Sequence, residues 1–186
     1  MKKLSAFFYR FSTGRTALAG LVIFLVFSAL TLPAQTAQTE FYSQGMGGPD
    51  TSLLYNGETL YNMAETHGVE GRAAFLKARW TFDLAFPLVF TLFFITSISW
   101  LINRILKSGS PLRMFNLLPL AGMLFDYLEN TATSLVMAAY PVHNKWGETL
   151  APIFTPIKWL FVIVSLLLVV IGLVLYAVRL VIKRKQ

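Results

Sequence analysis

Long apolar runs separated by short charged segments dominate the chain. Each of the four runs approaches or exceeds the roughly 20 residues with which a helix crosses about 30 Å of hydrocarbon. The pattern predicts an all-α, polytopic membrane protein: a four-helix transmembrane bundle in one membrane domain, residues 1–186. The predicted spans cover about residues 17–33, 82–105, 113–140 and 153–178, with an amphipathic outer-side helical loop at residues 34–81.

This outer-side loop is the only sizeable polar region of the chain. It opens with a run of turn-forming residues at positions 45–50. Two amphipathic helical pieces are predicted to follow, at residues 57–67 and 69–80, and Gly68 permits a bend between them. We expect these pieces to lie in the outer headgroup layer or to cap the bundle.

Composition excludes several kinds of chemistry. Hydrophobic residues make up 55% of the chain, above the 45–50% that is usual for soluble domains. Cysteine is absent, which excludes disulfides, thiolate catalysis and cysteine-ligated metals, and His67 and His143 are the only histidines. We therefore predict no metal and no cofactor.

The basic residues indicate an orientation in the membrane. Eleven of the 16 lie at residues 2–15, 104–113 and 179–185, and these segments contain none of the nine acidic residues. By the positive-inside rule both termini are predicted to be cytoplasmic, in a bacterial-type inner membrane. The same charges are expected to attract anionic lipid headgroups. Because the net charge of +7 is distributed beside the spans, it argues against nucleic-acid binding.

The first span also fits a second interpretation. A basic start, 16 apolar residues at 17–32 and small residues after them resemble a secretory signal peptide. An apolar section of 7–15 residues is usual for such signals, so the length favours an uncleaved anchor.

Polar residues inside the third span are the main functional candidates. Asp126, Glu129, Asn130 and Thr133 lie at positions i, i+3, i+4 and i+7 and therefore share one helix face. A charge at the bilayer centre costs roughly 2.5–3.5 kcal/mol. The stripe is therefore predicted to face other helices or a polar cavity.

Two charged residues on other spans are predicted to join this stripe. Lys158 is expected within the first two turns of the fourth span, where its side chain can reach Glu129. Asp83, near the outer end of the second span, is a candidate partner of Lys158, Arg79 or His143. Further candidate contributors are His143, Ser165 and Tyr176.

Three interpretations of the polar core remain open. First, the core is a purely structural cluster of the kind an accessory membrane subunit contains. Second, it is a binding site for a lipid headgroup, small amphiphile or cation. Third, it is an acid–base active site with paired carboxylates. We prefer binding, because carboxylates inside a membrane span usually serve a function, while the absence of HExxH, GxSxG and phosphate-binding glycine motifs argues against an enzyme. No catalytic residue is assigned. Membrane lipids are the expected partners, and the sequence leaves a homo-oligomer open.

The middle of the chain contains several short motifs: Gly71-Arg72, Phe82-Asp83 with Pro87, Phe125-Asp126-Tyr127-Leu128-Glu129-Asn130, Tyr140-Pro141 and Lys158-Trp159. They resemble motifs of small bacterial four-span integral membrane proteins of uncharacterised function. The resemblance covers residues 49–159 and implies no activity. The architecture is also similar to sterol-isomerase-like and quinone-reductase-like bundles, although the cysteines of the latter are missing.

Overall fold

The computed structural model describes residues 1–184 and contains only helices and their connections within that range. The predicted all-helical fold class is thus confirmed. Two 3-10 helices, Pro49–Thr51 and Pro111–Leu117, interrupt the connections. The α-helices are α1 (Lys2–Phe11), α2 (Gly14–Ser43), α3 (Gly57–Arg79), α4 (Phe82–Ile105), α5 (Leu118–Ala139) and α6 (Lys145–Arg184).

Three helical stretches are long and apolar enough to cross a membrane. They are Gly14–Ser43, Gly57–Ile105, which comprises α3 and α4, and Lys145–Lys183. Many large apolar side chains of α2 and α6 are exposed, an amount of apolar surface that soluble monomers rarely show. The chain is accordingly a membrane protein. Within residues 1–184, α5 is not among the three stretches, because its carboxylates reduce its apolar character.

Both α2 and α6 extend beyond the spans predicted for them. Helix α2 runs through Pro33 to Ser43. Helix α6 begins at Lys145 and continues through Pro152 and Pro156. The Asn144 side chain accepts a hydrogen bond from the Gly147 backbone N–H at 2.9 Å, so it satisfies a backbone donor at the start of α6.

Contacts at both ends of each helix pair establish an antiparallel arrangement. Thr91 Oγ1, in the middle of α4, donates a hydrogen bond to the Pro119 carbonyl at the start of α5. Asn130, towards the other end of α5, reaches the Asp83 carbonyl near the start of α4. Helix α2 also packs antiparallel to α4, since Phe27 stacks on Phe82 with 5.9 Å between ring centroids, while Gly14 at the start of α2 lies against Trp100 near the end of α4.

Helix α3 bends at Gly68, where the sequence predicted a bend. Its φ of 61° lies in the left-handed region that glycine tolerates. The first part of α3 buries Leu60, Met63 and Ala64 in a hydrophobic cluster with residues of α5 and α6. This packing places the second part, which ends at Arg79, beside α4 and α5.

Gly147 allows α6 to approach α5 closely. A Cβ atom at this position would lie 2.5 Å from the Ala132 carbonyl oxygen and 2.7 Å from Val136. Real Cβ atoms do not come this close to backbone, so the two helices need glycine here. The close approach brings the start of α6 against α5 and thereby positions the polar residues further along both helices.

We expect Gly147→Ala to lower the free energy of unfolding by about 1–3 kcal/mol, the usual cost of overpacking. Denaturant titration in mixed micelles measures the change. Gly109→Ala is the matched control, because a Cβ atom there meets nothing within 4 Å. Equal effects of the two substitutions would show that the close approach does not matter.

Candidate functional site

Lys158 lies at the centre of a buried ionic cluster. Its Nζ is 2.5 Å from Glu129 Oε2 on α5 and 3.0 Å from Asp50 Oδ1 in the loop before α3. Lys158 is 4% exposed and Glu129 is 1% exposed. The sequence made an ion pair between Lys158 and Glu129 feasible, and the structure contains it.

Arg79 is the second cation of the cluster. One terminal nitrogen donates to Asp83 Oδ2 at 2.5 Å, and the other forms an ion pair with Asp50. The guanidinium group also lies over the Phe75 ring, 4.4 Å from its centroid. Of the three candidate partners that the sequence indicated for Asp83, Arg79 is the one that forms an ion pair with it.

Asp126 contacts neither of these cations. Asn130 Nδ2 donates a hydrogen bond to Asp126 Oδ1 at 3.1 Å, while Asn130 Oδ1 accepts one from Arg79 at 3.3 Å. Asn130 therefore links Asp126 to Arg79 through its amide. Asp126 Oδ2 meets no hydrogen-bond donor from residues 1–184.

A chain of hydroxyl groups continues the network beyond Glu129. Thr155 Oγ1 donates to Glu129 Oε1 at 2.9 Å, and the Tyr55 hydroxyl lies 2.9 Å from Thr155 Oγ1. Thr155 has a single hydroxyl proton, so Tyr55 is the donor in their contact. Burial raises the pKa of Tyr55 above its ordinary value of 10.0, so the phenol keeps this proton at neutral pH.

Asp50 is a site residue that sequence reasoning missed. It bridges Arg79 and Lys158 although its side chain is 37% exposed. Burial alone would raise the pKa of Asp50, but the positive charges of Arg79 and Lys158 outweigh it and hold that pKa well below the ordinary 3.8. The sequence showed only that Asp50 is an acidic residue within a turn-rich loop, which does not by itself indicate a site.

Four of the predicted residues do not join the cluster. Thr133 and Ser165 are buried, but each donates its hydroxyl proton to a carbonyl of its own helix. His143 is exposed and pairs with Glu148 at 2.9 Å. Tyr176 accepts a hydrogen bond from Arg104, far along the bundle from Lys158.

The depth of Lys158 along its helix differs from the prediction. Because α6 begins at Lys145, Lys158 lies in its fourth turn and not in its first two. The helix macrodipole acts within the first and last turns. Lys158 is therefore stabilised by its acidic partners and is not opposed by the start of its helix.

A cavity of about 1030 Å³ adjoins the cluster. Its polar end is lined by Asp50, Arg79, Asp83, Asp126 and Lys158, whereas Glu129 lies behind Lys158 and does not line it. Other polar residues, from α2, the connection after it and α3, also line the cavity: Gln35, Thr36, Gln38, Thr39, Glu40, Ser43, Thr51 and His67. The remaining wall is mostly aromatic and aliphatic. These apolar lining residues include Phe24 and Leu32 of α2, Phe82, Phe86, Phe90, Phe93 and Phe94 of α4, and Trp159, Val162 and Leu166 of α6.

The arrangement has the chemistry of a binding pocket with one polar end. No group of three or more His, Asp and Glu side chains in the described part of the chain is arranged to hold a metal ion. Comparison of the chain with protein families, with curated proteins and with solved structures finds no match. The function is therefore argued from the geometry of the site.

We expect Lys158→Met to lower the free energy of unfolding by about 3–5 kcal/mol, because it leaves the buried Glu129 carboxylate without its cation. The double variant Lys158→Met, Glu129→Gln should regain part of this loss, since it removes both charges of the pair. Denaturant titration of the single and double variants gives their coupling energy. Additive effects would show that the pair has no energetic role.

We expect Asp50→Asn to destabilise the protein by about 1–2 kcal/mol at pH 7, less than for a fully buried pair because Asp50 is half-buried. The folded-state pKa of Asp50 is depressed, so its contribution is complete above the ordinary 3.8 and disappears as the pH falls towards the folded-state value. Thermal unfolding from pH 7 to strongly acidic pH measures this convergence.

The control for this comparison is Glu70→Gln, because Glu70 is an exposed carboxylate on α3. It should change the melting temperature little at any pH. A difference between the wild type and Asp50→Asn that does not shrink in acid would contradict the assigned role of Asp50.

Proposed function

We propose that the protein binds one amphiphile in this cavity, with its headgroup at the ionic cluster and its apolar part along α4 and α6. The observation that carries the proposal is the continuity of the space, because charged residues and an aromatic wall line the same cavity. Pockets for small molecules usually measure about 300–1,000 Å³ and combine apolar walls with a few polar groups. The volume and the lining both fit a lipid-like ligand.

The apolar part of the cavity has the dimensions of a chain-binding groove. Asp83 and Phe94 are eleven residues apart on α4, and Lys158 and Leu166 are eight residues apart on α6. At 1.5 Å per residue these separations correspond to about 12–16 Å of helix. A hydrocarbon chain lying along this section would fill the space and make close van der Waals contacts with the apolar side chains, which would stabilise the complex.

The cavity lies between α2 and α6, each of which packs mainly on other helices. Helix α2 packs on α4 and α3, and α6 packs on α5 and α4, yet residues of both α2 and α6 line the cavity. Leu166 contributes to the lining and is 48% exposed. This opening supports access from the lipid phase, so that a membrane amphiphile would bind without passing through water.

A topology consistent with this function has four spans, with both termini cytoplasmic in a bacterial-type inner membrane. Helices α2, α4, α5 and α6 would cross the bilayer. Burial of Asp126, Glu129 and Asn130 against the neighbouring helices supports α5 as the fourth span. In this orientation the ionic cluster lies towards the outer side. The basic side chains near Arg104 and Arg179 would then contact anionic lipids of the cytoplasmic leaflet.

Asp126 also favours a second candidate function, acid–base catalysis on an amphiphile. A carboxylate that faces a cavity and contacts no cation in the described chain is a suitable proton acceptor or donor. Binding alone returns the ligand unchanged, whereas catalysis changes its covalent structure and therefore its mass or, for an isomerisation, its chromatographic retention. Chromatography coupled to the mass spectrometry of the experiment below separates the two functions.

We expect Leu166→Trp to reduce the amount of lipid that copurifies with the protein in detergent, because the larger side chain fills the apolar section of the cavity. Mass spectrometry of extracted lipid measures the amount for each mole of protein. Leu167→Trp is a closely matched control: Leu167 is 50% exposed, compared with 48% for Leu166, and does not line the cavity. Equal lipid content in the two variants and the wild type would refute the proposal.

A further inference from the structure

The walls of the cavity contain more acidic than basic side chains. At the ionic cluster the acidic lining residues are Asp50, Asp83 and Asp126, whereas Arg79 and Lys158 are the only lysine or arginine residues that line the cavity within the described chain. Glu40 also lines the cavity but is exposed. Glu129 adds a further carboxylate directly behind Lys158. A headgroup in this cavity therefore meets an excess of negative charge.

Both basic side chains are already engaged by the protein. Arg79 contacts Asp50 and Asp83, and Lys158 contacts Asp50 and Glu129. An anionic headgroup would have to displace a protein carboxylate from one of these ion pairs. Breaking a buried ion pair leaves an uncompensated charge and is strongly unfavourable. The cluster is thus poorly suited to phosphate or carboxylate ligands.

Asp126 presents the acceptor that the protein leaves unused. Asp126 is only 8% exposed and lines the cavity. Oδ1 accepts the hydrogen bond from Asn130, while Oδ2 has no donor from residues 1–184. A buried carboxylate is unfavourable unless it is paired and hydrogen-bonded, and without a cation the group favours its neutral form. A ligand that brings both a positive charge and an N–H donor would keep Asp126 ionised and pair it.

Resting on the proposed function, we propose that the amphiphile carries a protonated amine, which donates a charge-assisted hydrogen bond to Asp126 Oδ2. Charge-assisted hydrogen bonds are about twice as strong as neutral ones. Asn130 is the positioning residue, because its amide holds Asp126 while its oxygen accepts from Arg79. A quaternary ammonium group has the charge but no N–H, so it satisfies only part of the site.

The test measures binding of three ligands that share one chain, using the purified full-length protein in a nonionic detergent. The ligands are dodecylammonium, dodecanol and dodecyltrimethylammonium, and isothermal titration calorimetry gives the affinities. We expect dodecylammonium to bind roughly ten-fold or more tightly than dodecanol, with dodecyltrimethylammonium between them. Equal affinities of dodecylammonium and dodecanol would overturn the inference.

Asp126→Asn identifies the residue responsible. The variant should lose the preference for dodecylammonium over dodecanol, so the ratio of the two affinities is the readout, because the dodecanol O–H can also donate to Asp126. Dodecanol binding that persists in the variant shows that the cavity is intact. Glu148→Gln is the control, because this carboxylate pairs with His143 away from the cavity. Unchanged dodecylammonium binding by Asp126→Asn would overturn the inference. The three-ligand comparison on the wild type decides the question if Asp126→Asn does not fold.

Competition with vesicles distinguishes the two sources of an amine. Displacement of dodecylammonium by phosphatidylethanolamine but not by phosphatidylcholine supports a lipid headgroup. Displacement by neither lipid supports a free long-chain amine, and equal displacement by both contradicts the need for an N–H donor.

The two proposals fail in different ways. If dodecanol binds and dodecylammonium gains nothing, the cavity binds amphiphiles without recognising an amine, and only the inference fails. If none of the three ligands binds and Leu166→Trp leaves the copurifying lipid unchanged, the proposed function itself fails.

Discussion

The Lys158 ammonium group is the charge on which the interior of the protein depends. It neutralises Glu129, which is almost completely buried, and it holds Asp50 within reach of Arg79. Each of these contacts joins a different element, so the ionic cluster fixes the positions of α5, α6 and the loop before α3 relative to one another. Leaving Lys158 or Glu129 buried without its partner would be strongly unfavourable, so the packing of these helices has to preserve the pair.

The cavity follows from the way this constraint is met. Helices α5 and α6 approach closely at Gly147 and carry the ion pair between them, whereas α2 packs against α4 and α3. Space remains between α2 and α6, with the ionic cluster at one end and phenylalanine rings along the wall. The site thus combines a charged end, whose cations are already paired, with an apolar section that reaches the half-exposed Leu166.

The polar stripe of α5 could be recognised from the sequence because its spacing of three and four is a local property of one helix. Lys158 could be added because few lysines lie within apolar runs. Asp50 could not be recognised in this way, since it lies 108 positions from Lys158 in the chain and in a loop without helical periodicity. Ser165 and Tyr176 share the polar character of the site residues but lie further along α6, where no partner from the cluster reaches them.

Sequence by itself determined the helical fold class, the membrane-spanning character of the most apolar stretches and the side of α5 that turns inward. These properties follow from hydropathy and from the 3.6-residue period, which need no knowledge of neighbouring helices. Only the tertiary structure decided which carboxylate meets which cation, and it left Asp126 facing a cavity without a charged partner within the described residues. Ion pairs depend on distances of a few ångströms between elements that are remote in the chain, and no local pattern encodes those distances.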